Sequence, residues 1–405
     1  IIIGFNRQVA WTFTNTGADV VDFYAESVDV AAHPARYLVD GAWRPVTRRI
    51  ERYLSPDGAV LAVDTLRFTH RGPLRRVGAR WLSMRWTVLE PHTELAPFLG
   101  AAHAATADAW LDSMRTFEAP AQNMLVADTS GTIAIRSTGK FPIRPGDGRG
   151  DLVRDGTTSR SDWTGAWPVA RYPFARDPAR GFLASANQQP IDPRVDSTYL
   201  GADWPDPWRA MRIDALLRAD TLATVDSMRV YQTDAGSTRA DLFVPYFLAA
   251  AVTQLARTPA DSALRRASEL LGEWDRRYDE TNERAVLFEL AMRELERRLW
   301  DELVPPGDSE AVAYPAEGVI ARLFAQPASP WWDERRTPTV VETRDDVLAE
   351  SLRAALHDAE SRYGPPNGGG WGWSRLRQAN IYHLLRLPSL SRLHLPVQGG
   401  PGTLS

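Results

Sequence analysis

The stretch GFNRQVAWTFTNTGADVVDFYAE (residues 4–26) closes an alternating apolar pattern in a polar turn, TNTG, and follows it with two spaced aspartates, Asp19 and Asp22, in DVVD. Taken alone, Asn15 of TNTG is a turn asparagine, and the aspartates are a pair of solvated turn carboxylates. A second amide, Asn187, lies in ASANQQP, and Arg209 follows it by 22 residues. What these groups lack is an attacking atom. No GxSxG elbow, HExxH, P-loop or GxGxxG occurs. Cysteine is absent, which excludes disulfides, thiolate zinc sites and a Cys nucleophile. The seven histidines (33, 70, 92, 103, 357, 383 and 394) are scattered, with no two at metal-ligand spacing, and read as surface or core residues. Spacing singles out no Ser/His/Asp triad, so the nucleophile of an enzyme is not evident in these residues.

The elements that must position these groups are legible from patterning. Residues 1 to about 90 read as strands and turns, because QVAWTFT, VVDFYAESV, RYLVDGAWRPV and ARWLSMRWTVL alternate apolar and polar residues between Gly, Pro and Asp. Helical spacing over 93–117 puts Leu95, Phe98, Leu99, Ala102, Ala109, Trp110 and Phe117 on one stripe, with Thr106 as its polar interruption. QNMLVADTSGTIAIRSTGKFP (122–142) reads as a hairpin turning at DTSG. The Gly/Pro/Asp-rich passage from about 143 to 208 is too aromatic for a linker and suggests ordered loops lining a pocket. From Arg209 to about 362 the signal is helical. ERAVLFELAMRELERRLW shows it best, with Phe288, Ala291, Met292, Leu295 and Leu299 on one face. Glu289 with Arg293 and Glu294 with Arg298 are expected i,i+4 ion pairs on the other. Three blocks result: a β-rich part over 1–207, a mainly helical insertion over 208–373, and a return segment over 374–405.

Composition bounds the function. With 44% apolar and 24% charged residues the chain can build a sizeable core. A net charge of −4 without basic runs argues against nucleic-acid or anionic-membrane partners, and no apolar run is long enough to span a bilayer as a helix. The start, IIIG, and the end, GGPGTLS, read as cuts inside a longer polypeptide.

Read together, VAWTFTNTGADVVDFYAE (9–26), TFEAPAQNMLVADTSGTIA (116–134), GFLASANQQP (181–190), LGADWPDPWRAMRI (200–213) and the tail PVQGGPGTLS resemble, in order and spacing, the penicillin acylase (penicillin amidase) family of N-terminal-nucleophile hydrolases. The resemblance covers essentially the whole chain. It implies an α+β fold, a four-layer αββα sandwich with a large helical insertion, of which this sequence is a fragment. It also implies an amidohydrolase acting on a linear acyl amide through an acyl-serine intermediate. Its nucleophile, the first residue of a β chain freed by self-cleavage, would lie several dozen residues before Ile1, and the fragment alone would be inactive.

By the same resemblance, the backbone N–H of Asn15 and the side-chain amide of Asn187 would form the oxyanion hole. A neutral amide suits that work, since it stabilises a transient O⁻ without being titrated. Gln188 stands where the family often has a second Asn. Arg209 would orient Asn187 and the reacting amine. Asp19, Val21 (through its carbonyl) and Asp22 would hold a structural Ca²⁺ with Asp196, or alternatively Asp192, since hard calcium takes oxygen ligands on flexible loops. Trp11 and Trp163, with Trp167 and Trp204, would border an acyl pocket, although such tryptophans are more often core. The expected partners are an α chain from the same precursor and a small acyl amide, with no organic cofactor, and the expected location is periplasmic or secreted. Two rival readings are a non-catalytic relative that keeps the fold for binding and a Trp-rich carbohydrate- or peptide-binding module.

Overall fold

The structure is a computed structural model and describes residues 2–91, 93–303 and 313–405; Ile1 and His92 lie outside the described residues. Two compact units divide the chain, Ile1–Pro205 and Asp206–Ser405, and the 374–405 segment belongs to the second.

The first unit begins with nine strands: β1 (Gly4–Phe5), β2 (Val9–Asn15), β3 (Val21–Glu26), β4 (Arg36–Val39), β5 (Ala42–Pro45), β6 (Thr47–Leu54), β7 (Val60–Thr69), β8 (Gly72–Val77) and β9 (Arg80–Trp86). Two short helices follow, α1 (Leu95–Ala102) and α2 (Ala107–Ser113). The hairpin of β10 (Gln122–Asp128) and β11 (Ile133–Thr138) comes next, then the short β12 (Pro142–Ile143), β13 (Arg154–Asp155), β14 (Gly165–Ala166) and β15 (Phe174–Arg176). One sheet has the order β1-β2-β10-β11-β15 and a second the order β13-β3-β9-β8-β7-β6. Val9, Trp11, Met124, Val126 and Ala134 of the first sheet pack against Trp110, Leu111 and Met114 of the helical stretch. Burial of such side chains stabilises by about 1.5–3 kcal/mol each.

The single helical stripe expected over 93–117 is instead two helices. Thr106 is the reason, because its side chain caps α2 by accepting the Ala109 N–H at 3.1 Å. Leu95 and Leu99 are exposed, while Trp110 and Phe117 are buried, so the polar interruption was a helix boundary. The 122–138 hairpin forms as read, with Asn123 opposite Ser137 and Ala127 opposite Ile133.

The second unit is helical: α3 (Trp208–Ala219), α4 (Val225–Gln232), α5 (Thr238–Arg257), α6 (Ser262–Gly272), α7 (Arg284–Leu299), α8 (Glu317–Phe324), α9 (Arg344–Tyr363) and α10 (Trp373–Leu376), then a hairpin of β16 (Gln378–Ile381) and β17 (Arg392–Pro396). Thr343 and Asp346 form a capping box at the start of α9, and Gly364, at φ 82°, follows its end. Phe288, Ala291, Met292, Leu295 and Leu299 are buried as the periodicity requires. The ion-pair pattern on α7 differs from expectation. Glu289 turns to Arg239 at 2.6 Å and accepts from the Tyr278 hydroxyl, and Glu294 pairs more closely with Arg297 (2.7 Å) than with Arg298 (3.9 Å). A half-buried carboxylate gains more from a buried guanidinium than from an exposed neighbour on its own helix. The tail packs within this unit, with Gly399 N–H donating to the Tyr278 carbonyl and the Trp373 indole to the Gly399 carbonyl.

Candidate active site

β2 ends at Asn15, opposite Gln122 of β10. One residue later the Thr16 N–H donates to the Ala121 carbonyl at 3.2 Å. Antiparallel ladders alternate their bonding direction along a strand, so the Asn15 N–H is directed away from β10, toward the β1 side. Among the described residues, β1 pairs there with Ala10 and Trp11 and its ladder does not extend to Asn15.

The ASANQQP loop meets this strand end. The Asn187 side-chain amide donates to the Asn15 carbonyl at 3.0 Å, and Gln122 holds the Asn15 side chain by donating to Oδ1 at 3.0 Å. Asn187 has φ 67°, a left-handed conformation that asparagine tolerates better than most residues. Its backbone N–H reaches Ser185 Oγ at 3.4 Å, and Ser185 Oγ lies 2.6 Å from Thr14 Oγ1.

Both amides line a pocket of about 600 Å³ whose apolar wall includes Phe13, Phe98, Phe117, Ala119 and Pro120. Phe98 stands between Phe13 and Phe117, with ring centroids 5.8 Å from each, an aromatic spacing that adds to burial. Glu94 also lines it, with its carboxylate accepting the Glu118 and Ala119 N–H groups at 3.1 and 3.0 Å. A largely apolar pocket that also presents amide groups suits an acyl chain.

The expected pocket tryptophans are elsewhere. Trp11 shares the β2 face of Phe13 and Asn15 but is buried against Trp110, with centroids 6.0 Å apart. Trp163 is buried too, and its indole donates to Asp22 Oδ2 at 2.6 Å. Neither lines the pocket. Phe13 was findable by its period-2 alternation with Trp11 and Asn15; Phe98 and Phe117 enter from segments whose folding onto the sheet no local pattern announces.

In the DVVD loop the carboxylates are taken up by neighbours within the chain. Asp22 is fully buried and accepts from Arg144 Nε at 2.9 Å, with Arg154 Nε at 3.2 Å. Asp19 accepts from the Tyr199 hydroxyl at 2.7 Å and faces Arg144 at 3.2 Å. Arg144 also donates to the Asp19 carbonyl at 2.8 Å. Burial pushes the Asp22 carboxyl up, against the pull of Arg144, the Trp163 indole and Arg154. Asp196 is exposed and accepts the Thr198 N–H at 2.9 Å, and Asp192 binds Arg194. No group of three or more His, Asp or Glu able to hold a metal ion occurs among the described residues. The loop is anchored by backbone as well. Asp19 N–H donates to the Leu200 carbonyl at 2.8 Å, an approach that needs Gly201, where a Cβ would stand 2.8 Å from the Gly17 carbonyl.

Arg209 is the second residue of α3 and is half-buried in the second unit. No helix among the described residues is long and apolar enough to cross a membrane.

An acyl-homoserine lactone acylase, QuiP, of Pseudomonas syringae pv. syringae is 29% identical over 94% of this chain and 48% of its own length. The penicillin G acylase of Escherichia coli is 25% identical over 68% of this chain and 32% of its own length. The chain thus spans about half the length, or less, of these curated relatives. Among solved structures, a thermostable penicillin G acylase from Alcaligenes faecalis superposes with a TM-score of 0.72 at 21% identity, over 90% of this chain and 69% of that one. The likeness shows the fold, an α+β arrangement of packed helices and sheets. The family profile described as penicillin amidase matches residues 1–405, and the chain belongs to that family.

Proposed function

We propose that this chain forms the oxyanion-stabilising and acyl-binding part of an amidohydrolase that cleaves linear acyl amides. The observation that carries the proposal is the meeting of Asn187 with the end of β2 at Asn15, beside a pocket walled by three phenylalanines. A nucleophilic hydroxyl supplied outside these residues attacks the amide carbonyl. The resulting oxyanion takes hydrogen bonds from the Asn15 N–H and the Asn187 amide. The amine leaves with a proton, and water hydrolyses the acyl ester to the acid. Arg209 keeps its orienting role on the resemblance alone. An α chain as partner and export to the periplasm or medium belong to the same proposal.

The apolar wall favours a hydrocarbon acyl group, and the acylase relatives point to N-acyl-homoserine lactones as the substrates to try first. Hydrolysis by the full-length protein is measured with short- and long-chain N-acyl-homoserine lactones and a phenylacetyl amide. Release of a fatty acid from the long-chain lactones is expected. Binding of all of them without hydrolysis would instead favour the non-catalytic relative.

A further inference from the structure

Asn123 is 3% exposed in β10, between Thr14 of β2 and Ser137 of β11. A buried amide side chain has to be satisfied on both its ends. Here Oδ1 accepts from Ser137 Oγ at 2.7 Å and Thr16 Oγ1 at 2.9 Å. Nδ2 reaches Thr14 Oγ1 and Ser185 Oγ, both at 3.3 Å, and the Asn15 carbonyl at 3.5 Å. One side chain therefore touches residues 14, 15 and 16 of the β2 end, the neighbouring strand, and the loop that carries Asn187. Ser185 is the link, because its hydroxyl also meets Thr14 and the Asn187 N–H.

We propose that Asn123, acting through Ser185, is the positioning residue that sets the spacing between the Asn15 peptide and the Asn187 amide. This rests on the oxyanion reading above. Asn187 and Asn15 are 172 residues apart and meet through a hydrogen bond, while the left-handed backbone at Asn187 must be held against its own preference. Asn123 supplies the rigid reference, since its donors and acceptors are fixed by two strands of the sheet. An oxyanion hole works by preorganisation, so a loop free to shift by part of an ångström loses rate without losing substrate.

The test compares Asn123→Ala, Ser185→Ala, their double variant and Asn187→Gly in the full-length protein, with the amide that the wild type hydrolyses fastest. Removing a single oxyanion donor costs roughly 100- to 1,000-fold in kcat, so mispositioning one is expected to cost roughly 10- to 100-fold, with KM changed less than about three-fold. The double variant is expected to be no slower than the worse single variant, because both act through one network. Hydrogen exchange over residues 184–188 is expected to rise in both single variants. Ser185→Thr, which keeps the hydroxyl, is expected to restore the rate. Unchanged exchange, or kcat and KM both unchanged in Asn123→Ala and Ser185→Ala, overturns the proposal. If Asn187→Gly leaves kcat intact, the oxyanion reading fails, and exchange alone decides whether Asn123 holds the loop. Should Asn123→Ala not fold, Ser185→Ala decides in the same way.

Discussion

The Asn187 side chain donates to the Asn15 carbonyl at 3.0 Å, so the loop amide is held by the same peptide neighbourhood whose N–H it is proposed to assist. The substitution that tests this must spare the backbone. Asn187→Gly removes the amide and suits φ 67°, whereas Asn187→Ala adds roughly 1 kcal/mol of left-handed strain. Asn187→Gly is therefore expected to lower kcat by about 100-fold or more and to leave the thermal midpoint nearly unchanged. A midpoint that falls in step with activity would assign the amide a structural role.

The phenylalanine wall leads to a prediction about chain length. Phe98 bridges Phe13 and Phe117 and is only half-buried, so it can change size without rebuilding the core. Phe98→Trp narrows the pocket and is expected to shift preference toward shorter acyl chains. Each buried methylene contributes about 0.8 kcal/mol, roughly four-fold in kcat/KM. Rates across a homologous series of acyl amides check it; an unchanged profile would place the acyl chain elsewhere.

How much of this was legible depended on the range of the interaction. The 122–138 hairpin and the buried face of α7 follow from periods of 2 and 3.6, which chain neighbours alone determine. Asn15 and Asn187 were found only as parts of motifs, since amides in turns carry no chemical signature of their own. Arg144 reaches Asp22 across 122 residues and Phe98 reaches Phe13 across 85; no window of sequence contains both partners. Trp163 shows the converse failure. Its place in an aromatic loop suggested a pocket, but an indole whose N–H can reach a buried carboxylate is fixed by that bond.

Arg144 is expected to be among the most costly side chains to truncate in the first unit. Its side chain is 2% exposed against a fully buried Asp22 and also binds Asp19. Removing it leaves the buried Asp22 charge to Arg154 and the Trp163 indole alone, and breaking such a buried pair costs up to about 3–5 kcal/mol. Arg144→Gln is therefore expected to lower the thermal midpoint by roughly 10 °C. Arg149→Gln, at the exposed pair with Asp151, is expected to shift it by less than about 2 °C. Scanning calorimetry of the two variants separates them. Equal shifts would mean that the guanidinium of Arg144 does not carry the acidic loop.

Glu296 on α7 gives the helical unit a pH dependence of known sign. Burial, and then the neighbouring Glu317, raise its carboxyl from 4.5 to about 7, against Arg239 and together with Glu289 and Asp206. The folded state therefore binds this proton more tightly than the unfolded chain. Its stabilisation is complete below about pH 4.5 and is lost as pH rises through about 7. Glu296→Gln mimics the protonated form at every pH. Relative to wild type, its midpoint is expected to be similar near pH 5 and higher by a few degrees at pH 8, since partial exposure screens the effect to about 1–2 kcal/mol. Thermal melts of both proteins across that range decide it. A difference between variant and wild type that stays constant with pH would show that Glu296 titrates as an ordinary surface carboxylate, with Arg239 neutralising the cluster on its own.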